Sequence, residues 1–239
     1  MSLPRIFLSL QLHSGETASI PLDQAHHLIT VLRLQPGNHL ELVDSMGRLF
    51  LAALAETDLN CATAKVLEPI VGVQEPAIQV VLVQGLPKAD KMDWLVQKAT
   101  ELGVAAIVPL ATELSVVNYT GSKAAGKVER WQKIAQAAAK QSGRLKIPEI
   151  GSIRNLPQLV AERKSWTGLH LLAWEGSQTP LKKILQATTQ LPEKVVIYIG
   201  PEGSFSQAER AILLAQGASA VSLGPRILRT ETAGLALLS

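Results

Sequence analysis

Only one cysteine, Cys61, stands among the 239 residues. A lone thiol excludes an intramolecular disulfide and any cysteine cluster for a metal. No apolar run approaches membrane-spanning length, so no membrane partner is expected. The start of the sequence, Pro4-Arg5-Ile6-Phe7-Leu8-Ser9-Leu10, is too short and too soon interrupted for a secretory leader. Together these absences predict a cytoplasmic protein. His26 and His27 are adjacent and would point about 100° apart on a helix, so they cannot chelate one metal together. With no other clustered ligands, no metal is expected. Familiar phosphate motifs are missing too: no Gly-Lys-Ser/Thr ending and no Gly-x-Gly-x-x-Gly fingerprint. Nor is there a Gly-x-Ser-x-Gly elbow or a cysteine–histidine pair suited to nucleophilic catalysis.

What is present is unevenly distributed. Residues 1–72 carry four Lys/Arg against seven Asp/Glu, whereas residues 73–239 carry nineteen against thirteen. The second part is therefore the basic one, which points to a polyanionic partner. The length suffices for two modest domains with ample cores.

Residues 1–72 read mostly as strands. Asn38 to Asp44 and Arg48 to Leu54 flank the hairpin signal Ser45-Met46-Gly47, and Cys61 to Leu67 makes a third run. A short helix from Ala25 to Arg33 precedes them, with Gly37 after its stop. This predicts a small β unit, a partly closed barrel, ending in the stretch Ile70 to Pro76. From Ile78 the rhythm changes to strand–helix alternation. Strands are expected at Ile78–Gln84, Ala106–Pro109, Gly168–Trp174, Val195–Ile199 and Ala218–Ser222. Helices are expected at Lys91–Leu102, Lys123–Ser142, Leu156–Glu162, Leu181–Thr188, Ser206–Gln216 and Thr232–Leu238. Near-continuous apolar strands such as Val80-Val81-Leu82-Val83 predict an α/β fold whose parallel sheet is covered on both faces.

Two loops follow such strands directly: Gly200-Pro201-Glu202-Gly203-Ser204, and the block Leu223-Gly224-Pro225-Arg226-Ile227-Leu228-Arg229-Thr230-Glu231-Thr232-Ala233. In α/β proteins ligands sit outside the carboxyl ends of the strands, so these loops are expected to wall one pocket. Small residues in the first would let the backbone approach a flat, hydrogen-bonding ligand; a plain tight turn is the other reading. Lys88 sits at the end of a third buried strand, and Asp90 is placed to cap the helix that follows.

The long helix from Lys123 is basic. At 100° per residue, Lys123, Lys127, Arg130, Lys133, Lys140 and Arg144 fall within an arc of about 140° if the helix stays regular that far. Residues 123–146 hold seven basic groups and one acid, Glu129. The stripe is either a solvated face or a phosphate-binding surface; a solvated face normally mixes signs.

Taken together the segments resemble the RsmE-type 16S rRNA (uracil N3) methyltransferases of the SPOUT class. The resemblance runs through Pro4-Arg5-Ile6-Phe7, His26-His27-Leu28, Lys88, Asp90, Gln97 to Val104, Arg130-Trp131, Gln141-Ser142, Arg144 and the two Gly-Pro loops. Departures are Ser204 where the family has a second glycine, Leu114 where arginine is expected after Glu113, and Gln136 in place of glutamate. The resemblance implies a PUA-like β-barrel domain (residues 1–72) and a SPOUT methyltransferase domain (residues 73–239) whose last segment is threaded into a trefoil knot. It further implies a homodimer, S-adenosylmethionine as cofactor, and one uridine of 16S rRNA within the small ribosomal subunit as substrate.

On that resemblance the cofactor would be held by Gly200, Pro201, Glu202, Gly203, Leu223, Gly224, Ile227, Leu228, Thr230, Thr232 and Ala233, with Leu172 or Ala173 as the floor. Arg229 and Arg5 are candidates for contacts to uracil oxygens or to phosphate. Glu231 is the nearest candidate base, or else holds Arg229 or Thr230 in place. Arg33 and Lys88, with Lys123, Lys127, Arg130, Lys133 and Arg144, are the expected RNA contacts. Two rival functions are ribose 2′-O-methylation by another SPOUT enzyme and a non-catalytic RNA-binding assembly factor.

Overall fold

Long runs of alternating apolar residues give the first part of the chain its strands. The structure, a computed structural model, describes residues 3–58, 61–72, 74–162 and 167–239. The chain divides into two compact units, residues 1–75 with 139–146, and residues 76–138 with 147–239. Val73, at the expected domain boundary, lies outside the described residues.

The first unit contains β1 (Arg5–Phe7), β2 (Thr17–Ile20), β3 (His39–Val43), β4 (Leu49–Asp58) and β5 (Cys61–Ile70), in the sheet order β1-β3-β4-β5-β2. Only β1 pairs in parallel, with β3. The two edge strands were not foreseen from sequence, because each is very short. Register shifts between Leu51 and Ala52 and between Leu54 and Glu56 bend the long β4–β5 pair. Such bulges increase local twist, and the sheet curls around one core containing Ile6, Ile20, Leu28, Leu42, Phe50 and Leu54. Its edges, β1 and β2, do not pair with each other, so the barrel stays open.

The expected helix from Ala25 to Arg33 is earlier and irregular. Helix α1 (Leu22–His26) runs into a π-helical turn at His27–Val31, and Arg33 leaves it with φ +54°. The hairpin at Ser45-Met46-Gly47 forms as its residues predict, with Gly47 at φ +76°. Asp44 organises it: its carboxylate accepts from the Met46 and Arg48 amides and pairs with the Arg48 guanidinium at 2.6 Å.

The second unit carries β6 (Gln79–Gly85), β7 (Ala106–Ala111), β8 (Glu149–Ile150), β9 (Arg154–Asn155), β10 (Leu169–Ala173), β11 (Lys194–Ile199) and β12 (Ser219–Val221). All pair in parallel, in the order β12-β10-β11-β6-β7-β8, with β9 also on β7. The two-residue strands β8 and β9 are too short to leave a periodic signal. Helices α2 (Lys91–Glu101), α3 (Gly121–Ser142), α4 (Leu156–Glu162), α5 (Leu181–Ala187), α6 (Gln207–Ala215) and α7 (Thr230–Leu238) complete the chain. Side chains of β6, β10 and β11 such as Leu82, Val83, Leu172, Val196 and Tyr198 are fully buried, because apolar clusters lie on both faces of the sheet. Asp90 occupies the N-cap position of α2 but makes no side-chain cap bond, contrary to expectation. Helix α6 instead has a complete capping box between Ser206 and Glu209, which fixes where the chain leaves the β11 loop. The sheet order brings the carboxyl ends of β12, β10, β11 and β6 side by side, and the site is built there.

Candidate functional site

Three loops leave neighbouring parallel strands: Trp174-Glu175 after β10, Gly200 to Ser206 after β11, and Ser222 to Arg229 after β12. Between them lies a cleft with two lobes. The larger, about 450 Å³, is lined by Lys91, Ile199, Gly200, Pro201, Glu202, Ser204, Arg229 and Thr230. The smaller, about 120 Å³, is lined by Trp174, Val221 to Arg226 and their neighbours. Ala173, Glu175, Ile227, Leu228 and Ala233 line both. The larger lobe falls in the size range of small-molecule sites.

Close backbone approach explains the glycines. A Cβ on Gly200 would lie 2.8 Å from the Ser204 carbonyl carbon and 2.9 Å from the Phe205 nitrogen. A Cβ on Gly85, at the end of β6, would lie 2.5 Å from the Pro201 nitrogen. No side chain fits either place, so the loop folds flat against the strand ends. Ser204, where the resemblance leads to an expected glycine, holds the left-handed φ of +62°, a conformation costly for any residue with a Cβ. Its hydroxyl donates to Glu175 at 3.3 Å.

Thr230 fastens the last segment to this loop. Its hydroxyl accepts from Gln84 at 2.7 Å and donates to the Gly200 carbonyl at 2.5 Å. Because α7 begins here, the threonine sets the position of the two residues beside it. Arg229, the N-cap residue, is exposed and lines the larger lobe. Glu231 pairs with Lys91 at 3.5 Å, and Lys91 also pairs with Glu202 at 2.9 Å. Burial alone would raise the Glu202 pKa; the Lys91 ammonium and backbone donors including the Lys88 amide outweigh it and hold that carboxyl below its ordinary range.

The structure thus gathers Ala173, Gly200, Pro201, Glu202, Leu223, Gly224, Ile227, Leu228, Arg229, Thr230 and Ala233 around one cleft. Leu172 is packed in the core beneath it, and neither Gly203 nor Thr232 lines either lobe. A Cβ on Gly203 would meet Leu114 at 3.1 Å, so this glycine faces a neighbouring loop and not the cleft. The alternative role for Glu231 changes as well: Gln84 and Gly200 hold Thr230, while Glu231 is engaged by Lys91.

Arg5 belongs to the first unit, where its guanidinium donates to Glu41 and to the Gly143 and Arg144 carbonyls. It is not among the residues lining the cleft. The basic arc also breaks up. Helix α3 ends at Ser142 and Gly143 turns the chain with φ +77°, so Arg144 leaves the helix. Arg144 is buried instead, paired with Glu75 at 2.6 Å. Lys140 donates to Gln24 at 2.7 Å, and burial lowers its pKa. Arg130 pairs with Asp93 at 2.5 Å and Lys133 with Glu129 at 2.7 Å. Lys123 and Lys127 lie 5.6 and 5.4 Å from the Tyr119 ring centre, with no acid partner among the described residues. Lys88 is exposed, and its backbone amide donates to Glu202; Arg33 is exposed.

Sequence reasoning missed Glu175, Lys91 and Gln84. Glu175 follows an apolar strand just as the Gly-Pro loops do, and Gly176 beside it is a signal that could have found it. Lys91 reads as an ordinary first helical residue. Among the described residues no helix is long and apolar enough to cross a membrane, and no group of three or more His, Cys, Asp or Glu could hold a metal.

Residues 74–239 match the family described as RNA methyltransferase domain, and residues 20–67 the RNA methyltransferase PUA domain. Ribosomal RNA small subunit methyltransferase E of Bacillus subtilis is 34% identical over 244 residues, covering 99% of this chain and 95% of that protein. Among solved structures, a ribosomal RNA small subunit methyltransferase E from Neisseria gonorrhoeae bound to S-adenosylmethionine is 31% identical, with TM-score 0.87, covering 99% of this chain and 95% of that one. A Legionella pneumophila protein solved with its cofactor SAM is 30% identical, with TM-score 0.88, covering 100% of this chain and 96% of that one.

Proposed function

Because the chain belongs to the RNA methyltransferase family, we propose that it methylates N3 of a uridine in 16S rRNA of the small ribosomal subunit, using S-adenosylmethionine bound in the cleft between the β10, β11 and β12 loops. The single observation that carries this reading is the make-up of the cleft. Two Gly-Pro loops and a carboxylate without an ionic partner among the described residues, Glu175, surround a space of small-molecule size beside Arg229, which likewise has none. No ion pair reaches Glu175, Arg226 or Arg229 among the described residues. A cation with an adenine ring, an amino group and a carboxylate meets complementary chemistry there.

When bound, the cofactor supplies an electrophilic methyl group on a sulfonium. The protein's task is alignment, because methyl transfer is an in-line displacement. The flat Gly200 to Ser204 loop and the Leu223 to Leu228 loop would hold the adenosine through backbone groups. Glu175 would face positive charge at the other end. Uracil N3 becomes nucleophilic once its proton leaves, and the resulting charge spreads over O2 and O4. Arg229, which lines the cleft, would donate to one of those oxygens, and Thr230, fixed beside it, supports the preorganisation of that donor. Glu231, two residues after Arg229, would be the base that accepts the N3 proton.

The same proposal includes two domains, the PUA-like part for RNA, a knotted last segment, a homodimer and a cytoplasmic site of action. The dependence of α7 on Thr230, Gln84 and Gly200 supports a last segment threaded against the β11 loop; the half-exposed Trp94 of α2 supports a dimer surface.

Calorimetric titration tests the cofactor part. S-adenosylmethionine should bind, and Glu175→Gln should weaken it about tenfold, an electrostatic loss of roughly 1.4 kcal/mol. The neutral thioether product should lose less. Failure of the wild-type protein to bind S-adenosylmethionine would sink the proposal.

A further inference from the structure

Lys91 joins three elements that sequence reading treats as separate. It is the first residue of α2, lines the larger lobe, and is about one-third exposed. Its ammonium lies 2.9 Å from Glu202 in the β11 loop and 3.5 Å from Glu231 in the first turn of α7. The second of these carboxylates is largely buried, and its Oε2 receives no hydrogen bond among the described residues. Two carboxylates within reach of one ammonium repel each other unless that cation stays between them.

We propose that Lys91 is a positioning residue of the cleft, whose ammonium fastens the β11 loop and the start of α7 to α2 and so keeps the two cofactor-binding walls in register. The proposal rests on the reading of the cleft as the S-adenosylmethionine site. Glu202 also accepts from the Lys88 amide, at 3.1 and 3.3 Å to its two oxygens, so its side chain cannot turn away to relieve the repulsion without giving up that hydrogen bond. The hydrogen bond that Lys91 donates to Glu202 chiefly, opposed by partial desolvation, raises the Lys91 pKa, so the cation persists throughout the neutral range. The neighbouring Thr230 bonds fix the α7 backbone; Lys91 adds the side-chain fastening that the backbone bonds lack.

The test is a double-variant cycle, with S-adenosylmethionine affinity by calorimetry, steady-state kinetics on 30S subunits, and melting temperature. Lys91→Met should raise the Kd and the KM for S-adenosylmethionine at least about tenfold. The kcat at saturating cofactor should fall much less, and the melting temperature should shift by only a few degrees. Adding Glu202→Gln to Lys91→Met removes one of the two repelling charges, so the double variant should bind more tightly than Lys91→Met alone. Should Lys91→Met fail to fold, Lys91→Arg should fold and bind within about threefold of wild type, and the double variant should fold again. Wild-type affinity in Lys91→Met, or a double variant as weak as the two losses combined, overturns the proposal. Absence of binding by the wild-type protein overturns it together with the site reading, and is told apart by that control.

Discussion

Charged side chains serve different ends in the two units. In the first, three arginines are bound to acids: Arg5 with Glu41 at 2.7 Å, Arg48 with Asp44 at 2.6 Å, Arg144 with Glu75 at 2.6 Å. The Arg5 and Arg48 guanidiniums also donate to backbone carbonyls of Gly143, Arg144 and Leu12, so these pairs close loops that the curled sheet leaves open. At the cleft of the second unit, Arg226, Arg229 and Glu175 face the cavity without an ionic partner among the described residues. A protein gains little from leaving such groups unpaired at a concave surface, whereas a zwitterionic ligand and a developing uracil oxyanion would use them. In the first unit paired charge ties loops together, whereas the cleft combines the Lys91 pairs with three groups that have no ionic partner among the described residues. Sequence alone could not separate the two, and so grouped Arg5 with Arg229.

Arg229 should show the contrast most sharply. Arg229→Ala should lower kcat on 30S subunits by about 10²-fold, the usual cost of losing a preorganised donor, while S-adenosylmethionine affinity changes less than about threefold. A matching loss of cofactor affinity would instead put Arg229 on the cofactor's carboxylate.

The opposite outcome is expected at Asp44. Asp44→Ala removes the acceptor for the Arg48 guanidinium and for the Leu12, Met46 and Arg48 amides, and should cost about 2–4 kcal/mol of stability in denaturant unfolding. Cofactor affinity should stay unchanged, because the cleft lies in the other unit. Acid should act through the same groups. Burial works to raise the pKa of Asp44 and of Glu75, but the bonds from Arg48 and from Arg144 with neighbouring amides prevail and lower both. With folded pKa values below the unfolded ones, their stabilisation is complete above about pH 5 and is lost as pH falls through the unfolded and then the folded values. A pH series of melting curves should therefore steepen below about pH 4, and less so in Asp44→Asn.

The smallest effect is expected on α3. Lys123→Glu with Lys127→Glu should weaken 30S binding and reduce the slope of log affinity against log salt by about two, one for each phosphate no longer neutralised. Charge reversal at Arg130 is a poorer probe, since it would break the Asp93 pair and disturb α2 against α3. An unaltered salt slope in the lysine pair would show that these residues are merely solvated.

Much of the second unit was legible because its strands are apolar runs and its helices have clear ends; most boundaries moved by only one or two residues. The cleft was legible from two loops that follow such strands. What could not be read depends on tertiary placement. The edge strands β1 and β2 are short and gain their form from β3 and β5. The arc of α3 failed at Gly143, where a turn and the Glu75 carboxylate draw Arg144 into the first unit. Gly203 reads as a cofactor contact by its place in the loop, yet it faces Leu114, a neighbour distant in sequence. Lys91 and Glu175 carry no motif, and their meaning lies in what they face.

Nucleoside mass spectrometry on 16S rRNA decides whether the cleft transfers a methyl group to a uracil nitrogen with the help of Arg229. Small subunits from a strain lacking this gene are incubated with the protein and S-adenosylmethionine, in wild-type and Arg229→Ala forms. One new 3-methyluridine per subunit is expected with the wild-type protein and almost none with the variant. A methyl group on a ribose 2′-oxygen, or no transfer by the wild-type protein, would contradict that assignment.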